Sequence, residues 1–208
     1  MKTANRGRND SRWLDIFLFL CIACILYFCP SFTAEAGNEK SWTSKNPTPQ
    51  LLVEMDSSNP GVKLNAIHAL VKAGHGDVRK PDVVDWLMER GAGCLNDEGE
   101  WIDRDSGRKA YDSLKNIGDK LVIDSLMRYV FKPELRLHVL MLGVKLGIKG
   151  SPERLGKALN EHGDVKMAED FLNSGSRELY EQGAKWGNNH GYYISQGNGS
   201  HRVSWNSF

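Results

Sequence analysis

The chain has few of the features that announce a reaction. Of its four cysteines, Cys21, Cys24 and Cys29 crowd into one N-terminal apolar run. Past residue 36 only Cys94 remains, so that part of the chain can form no internal disulfide and must draw its stability from packing. Neither sign of charge dominates. Lys and Arg number 27 against 26 Asp and Glu, a net charge of +1, which argues against a dedicated nucleic-acid binder, since such domains are usually strongly basic. The six histidines, His68, His75, His138, His162, His190 and His201, include no HExxH pair and no other tight metal spacing, so no metal is expected. No Gly-rich loop closes on Lys-Ser or Lys-Thr, and there is no nucleophile elbow. Gly197-Asn198-Gly199 lacks the strand-turn-helix setting of a dinucleotide loop. On these grounds no catalytic residue, no metal ligand and no cofactor is assigned.

What is present is an ordinary globular composition, 40% hydrophobic and 25% charged, behind a different N-terminus. Lys2, Arg6, Arg8 and Arg12 make a basic start. Ile16 to Cys29 is an uncharged apolar run that Pro30 ends, and Ala34-Glu35-Ala36 follows. That order is the order of a secretory signal peptide over 1–36, with cleavage after Ala36. The run is about 14 residues, short of the roughly 20 that a spanning helix needs. The expectation is a periplasmic or secreted protein. The alternative is an inner-membrane anchor through an uncleaved N-terminal segment, the only route to a membrane. Residues 37–49 are polar and rich in breakers, and read as a flexible linker.

From residue 50 to 187 the chain repeats itself. Asn59 to Gly74, NPGVKLNAIHALVKAG, aligns without a gap over Lys132 to Gly147, KPELRLHVLMLGVKLG. Pro60 meets Pro133, Lys63 meets Arg136, Leu64 meets Leu137, Ile67 meets Leu140, and Gly74 meets Gly147. Proline suits the first helical turn, where its missing N–H is not needed. Leu64, Ile67 and Val71 share one helix face. The closing glycine can take the left-handed conformation that ends a helix. A third copy, Gly107 to Gly118, keeps the spacing through Ala110 and Leu114, and a weaker fourth, Asp164 to Gly175, through Ala168 and Leu172. Partner helices are expected between the copies: Asp82–Arg90, Asp119–Phe131, Ser151–Asn160 and Ser176–Trp186. The Pro133–Gly147 segment is apolar on most sides, as a centrally sandwiched helix should be.

The pattern resembles HEAT-like repeats, in the short bacterial form named after phycobilisome lyases. Its carriers are Asn59-Pro60-Gly61-Val62-Lys63 with Ala66, Leu70 and Gly74; Arg108 with Ala110, Leu114 and Ile117-Gly118-Asp119; and Pro133-Glu134-Leu135-Arg136 with Val144 and Leu146-Gly147. The resemblance implies an all-α fold, a right-handed α-α superhelix of about four helical hairpins that bury a shared core. Residues 188–208 form an aromatic and Gly-rich tail. In it Tyr192–Ser195 and Ser200–Trp205 flank Gln196-Gly197-Asn198-Gly199, which suggests a short C-terminal β-hairpin or an irregular tail.

Two features break the repeat. The segment Gly91–Asp103, GAGCLNDEGEWID, is an insertion within the second unit, and long insertions in repeat proteins often carry recognition. Its Asp97, Glu98, Glu100 and Asp103 lack the spacing of an EF-hand loop, and Trp101 is its anchor. The tail adds Tyr192, Tyr193 and Trp205. These eight residues are the candidates for contact with a partner. The expected function is a non-catalytic binding or scaffold module, in which another protein docks on a groove of successive repeat helices edged by the insertion and the hairpin. Because relatives of these repeats resemble chromophore lyases or their assembly partners, an enzyme or enzyme subunit of that type is the alternative, and a membrane-tethered adaptor is a third.

Overall fold

A computed structural model describes residues 49–196 and 202–207; the segment read as signal peptide and linker, and the turn of the expected hairpin, lie outside the described residues. Among the described residues nine α-helices and one two-stranded antiparallel hairpin follow in order: α1 (Pro49–Met55), α2 (Pro60–Ala73), α3 (Pro81–Ala92), α4 (Arg104–Ile117), α5 (Asp119–Tyr129), α6 (Arg136–Leu146), α7 (Ser151–His162), α8 (Val165–Leu172), α9 (Arg177–Asn189), β1 (Tyr192–Gln196) and β2 (Val203–Ser207). The fold is mostly helical, and the packing of the helices is consistent with a helical superhelix.

The helix ends follow the local chemistry. Asn59 caps α2, its Oδ1 accepting the amides of Gly61 at 2.9 Å and Val62 at 3.3 Å, with Pro60 in the first turn. At the other end Gly74 takes φ 73°, which lets its own amide reach Val71 O and the His75 amide reach Leu70 O. A side chain there would be strained in the left-handed region. Gly147 ends α6 in the same way, at φ 65°. The equivalence fails at the start of α6. Lys132 O accepts from both Leu135 N and Arg136 N, so Pro133 sits in a turn and the helix opens at Arg136.

The four self-similar segments become one layer. Helix α2 packs on α4, α4 on α6, and α6 on α8. The partner helices form the second layer, α3 on α5, α5 on α7, and α7 on α9. The core lies between the layers and fills with the apolar faces the repeats share. Ile67, Leu70, Val84, Leu87, Ala110, Leu114, Val139, Leu142 and Phe171 are all fully buried. Each large aliphatic or aromatic side chain removed from water contributes about 1.5–3 kcal/mol. Small residues set the spacing. A Cβ on Gly91 of α3 would meet Leu142 Cδ2 of α6 at 2.8 Å, so this glycine is what lets α3 lie down on the first layer.

Polar side chains tie the second layer together. Arg128 of α5 grips Asp85 of α3 with Nε to Oδ2 at 3.0 Å and Nη2 to Oδ1 at 2.6 Å. One turn along, the Tyr129 hydroxyl donates to Glu89 Oε2 at 3.1 Å. Burial, followed by the adjacent Glu89 carboxylate, pushes the Tyr129 phenol from 10.0 up to about 12. Because the folded chain holds this proton more tightly than the unfolded one, its contribution is complete below pH 10 and is lost as pH climbs from 10 toward 12. Urea unfolding at pH 9, 10.5 and 11.5 should show stability dropping over that window. Tyr129→Phe should flatten that part of the profile while lowering stability at pH 9, since Glu89 loses its donor.

The hairpin closes the array. Its register pairs Tyr192 with Ser207, Ile194 with Trp205, and Gln196 with Val203. A lone hairpin is marginal in water, and this one is docked, β1 on α9 and β2 on α8. The Asn173 side chain, just past α8, pairs with the Val203 backbone in both directions, Nδ2 to O at 2.8 Å and Oδ1 from N at 2.9 Å. Trp205 lies over Gly187 of α9, so close that a Cβ there would stand 2.3 Å from the ring. No described helix is long and apolar enough to cross a membrane.

Candidate functional site

The insertion folds into a tight turn because one side chain substitutes for a strand partner. Asn96 Oδ1 accepts the amides of Glu98 at 3.1 Å and Glu100 at 2.7 Å, while Asn96 N donates to Glu100 O. Gly99 turns the chain at φ 77°. Leu95 and Trp101 then pair as an isolated antiparallel bridge. This compact turn lies against α6, with Gly99 buried beside Met141.

The hairpin reaches the same place from the far end of the sequence. Arg202 Nη2 stands 2.8 Å from Asp97 Oδ1, and His138 Nε2 of α6 lies 3.1 Å from the same oxygen. Asp97 therefore clasps insertion, α6 and hairpin together. Between them opens a cleft of about 790 Å³. Met141 and Val144 of α6 and Leu172 of α8 give it an apolar floor, the insertion contributes Glu98 and Glu100, the hairpin Arg202 and Val203, and α6 also Lys145. Glu98 and Glu100 are exposed, and their carboxylates make no ion pair within the described residues. An apolar floor beside the unpaired carboxylates of Glu98 and Glu100 suits an extended segment with an apolar side chain next to a basic one.

The residues singled out by sequence thus fall into three places. Asp97, Glu98 and Glu100 line the cleft. Trp101 turns its ring into a neighbouring cavity that shares Lys145 with the cleft. Asp103 caps α4, its Oδ1 accepting from Ser106 N at 3.1 Å, and holds Arg90 at 3.3 Å; the hydrogen bonds from Ser106 keep its carboxyl below the usual range. In the tail, Tyr193 is exposed at 42%, whereas Tyr192 stacks on Trp186 of α9 and meets Trp205 of β2 at a tilt. The sequence names His138 only among histidines that lack metal spacing, and Arg202 and Val203 only within the expected hairpin; nothing in it marks them, or Lys145, for contact with a partner.

Cys94 is buried beneath this turn, and burial pushes its thiol up, away from the reactive thiolate. Among the described residues no three His, Cys, Asp or Glu side chains cluster closely enough to share a metal ion. A further cavity of about 480 Å³ where α6, α7 and α9 converge is lined by Gly147, Ile148, Pro152 and Leu179 together with Lys149, Glu153 and Glu178. The cleft is the stronger candidate because three segments distant in sequence build it. Comparison with family models, with curated proteins and with solved structures finds no match to this chain.

Proposed function

We propose that this chain is an exported, HEAT-like binding module, without catalysis of its own, that holds an extended segment of another protein in the cleft between the insertion and the hairpin. The observation that supports it most directly is the Asp97–Arg202 clasp, which joins a loop and a strand separated by 105 positions into the two edges of one groove. A scaffold that only packed its repeats would need neither edge. The segment that fits carries an apolar residue for Met141, Val144 and Leu172 and a lysine or arginine for Glu98 and Glu100. Export rests on the order of charge, apolar run and small residues within 1–36.

Selection from a random peptide library on the immobilised protein tests the reading. Enriched peptides should share an apolar anchor next to a basic residue. Their affinity should fall about tenfold or more, roughly 1.4 kcal/mol or above, in the doubly charge-reversed Glu98→Lys/Glu100→Lys protein. Enrichment no better than on a blank surface, or peptides indifferent to the reversal, would sink it. The export half is read separately, from the intact mass of protein recovered outside the cytoplasm, which should begin at Gly37.

A further inference from the structure

Across Lys145 from the cleft lies a second concavity of about 530 Å³, lined by Trp101, Arg104, Arg108, Tyr111, Asp112 and Lys145. We propose that it binds a small aromatic oxyanion, a phosphate or carboxylate carried on a planar ring. The charge is the first argument. Arg104 and Arg108 are four residues apart and so share one face of α4. Neither makes an ion pair or hydrogen bond within the described residues. That sets them apart, because Arg90, Arg128, Arg136, Arg154, Arg177 and Arg202 each rest on a carboxylate. Asp105, the acid beside them in sequence, is taken by Lys109 at 2.7 Å. Lys145 adds a third cation that has no carboxylate partner among the described residues. Asp112 is the only acid of the lining, and its charge also acts on His68 of α2. In a molecule whose net charge is +1, three cations against the single carboxylate of Asp112 leave an excess of positive charge around one hollow, a local field that attracts an anion.

The walls are the second argument. The Trp101 ring is pressed against Gly107, where a Cβ would stand 2.2 Å from Cε3, and its backbone is held by the bridge to Leu95. Tyr111 is held by its hydroxyl, which donates to Lys145 O at 3.2 Å. Lys145 Nζ stands 5.7 Å from the Trp101 ring centre. Two fixed aromatic walls with two forked guanidiniums at the mouth match a flat ring bearing an oxyanion, since a guanidinium can hold two oxygens at once. The volume falls in the range of small-ligand sites, of order 300–1,000 Å³, and the three cations line the same hollow as the two rings.

The site is independent of peptide docking in the cleft, and the experiment keeps the two apart. Phenyl phosphate, benzoate and inorganic phosphate are titrated into the full chain by calorimetry, with the tryptophan indole N–H signals followed by NMR. Phenyl phosphate should saturate and bind about tenfold more tightly than inorganic phosphate. The Arg104→Gln/Arg108→Gln protein, altered only at exposed positions, should keep its circular dichroism and lose at least about tenfold in affinity. The Glu98→Lys/Glu100→Lys protein should bind phenyl phosphate as before. No saturation up to about 10 mM, or affinity untouched by removal of the arginines, would overturn the site. Equal affinity for inorganic phosphate would overturn its aromatic half, and tighter binding of an acidic peptide than of phenyl phosphate would overturn its assignment to a small molecule.

Discussion

Asp170→Ala should cost the protein about 3–5 kcal/mol of folding stability. Asp170 lies on α8, 2% exposed, and faces Arg136 of α6, which is 3% exposed, at 3.6 Å between Oδ2 and Nη1. Lys166 approaches the other carboxylate oxygen at 3.2 Å. Desolvation raises the Asp170 pKa, against the pull of Lys166 and Arg136. Neither Asp170 Oδ2 nor Arg136 Nε has a hydrogen-bond partner, so the pair is held by charge more than by geometry. Such a pair adds little net stability but is costly to halve. With Asp170 gone, the buried guanidinium keeps only Asp164, which is 64% exposed and 3.4 Å away. The joint replacement Arg136→Met/Asp170→Leu should recover most of the loss, because no buried charge is then left and Asp164, 64% exposed, is solvated. Chemical denaturation of the two single variants and the double variant forms the cycle that checks this. A double variant as unstable as the sum of the singles would show that the helix contact, and not the charge, had been broken.

Leu114→Ala should cost about 2–5 kcal/mol and lower Tm by several degrees. Leu114 has no exposure and lies in the last turn of α4, the helix that touches α2 on one side and α6 on the other. Truncation removes its transfer energy and leaves a cavity that three helices cannot collapse at once. Urea unfolding followed by far-ultraviolet circular dichroism should show the midpoint fall with little change in slope. A loss below about 1 kcal/mol would mean that α4 is not the centre of the stack.

These two residues divide what could be read before the fold was known from what could not. Leu114 is legible. Its distance from Ala110 and Gly118 matches that of Leu70 from Ala66 and Gly74, and spacing alone puts such residues on a buried face. Asp170 is not legible. The alignment makes Lys63 and Arg136 equivalent, yet Lys63 is half-buried with its ammonium 5.0 Å from the Trp86 ring, while Arg136 is enclosed. The difference is whether another helix lies outside. Helix α8 covers Arg136 and supplies its acid, and no local pattern states which helix will cover which.

The same division runs through the site. That Gly91–Asp103 interrupts the repeat, and that a hairpin follows the last helix, is written in the order of the residues. That Asp97 would meet Arg202, leaving Tyr192 and Trp205 to pack on α9, is not.

Taken alone, the chain's order of apolar, small, Pro and Gly residues determined where helices form, the glycines that close two of them and the existence of a repeat, because these depend on interactions within a few positions. The tertiary structure decided which copies became neighbours, which charges were buried, and which distant loops came to share a cleft. Those outcomes depend on how the two layers stack, and residues far apart in sequence carry no local mark of the neighbours that stacking brings them.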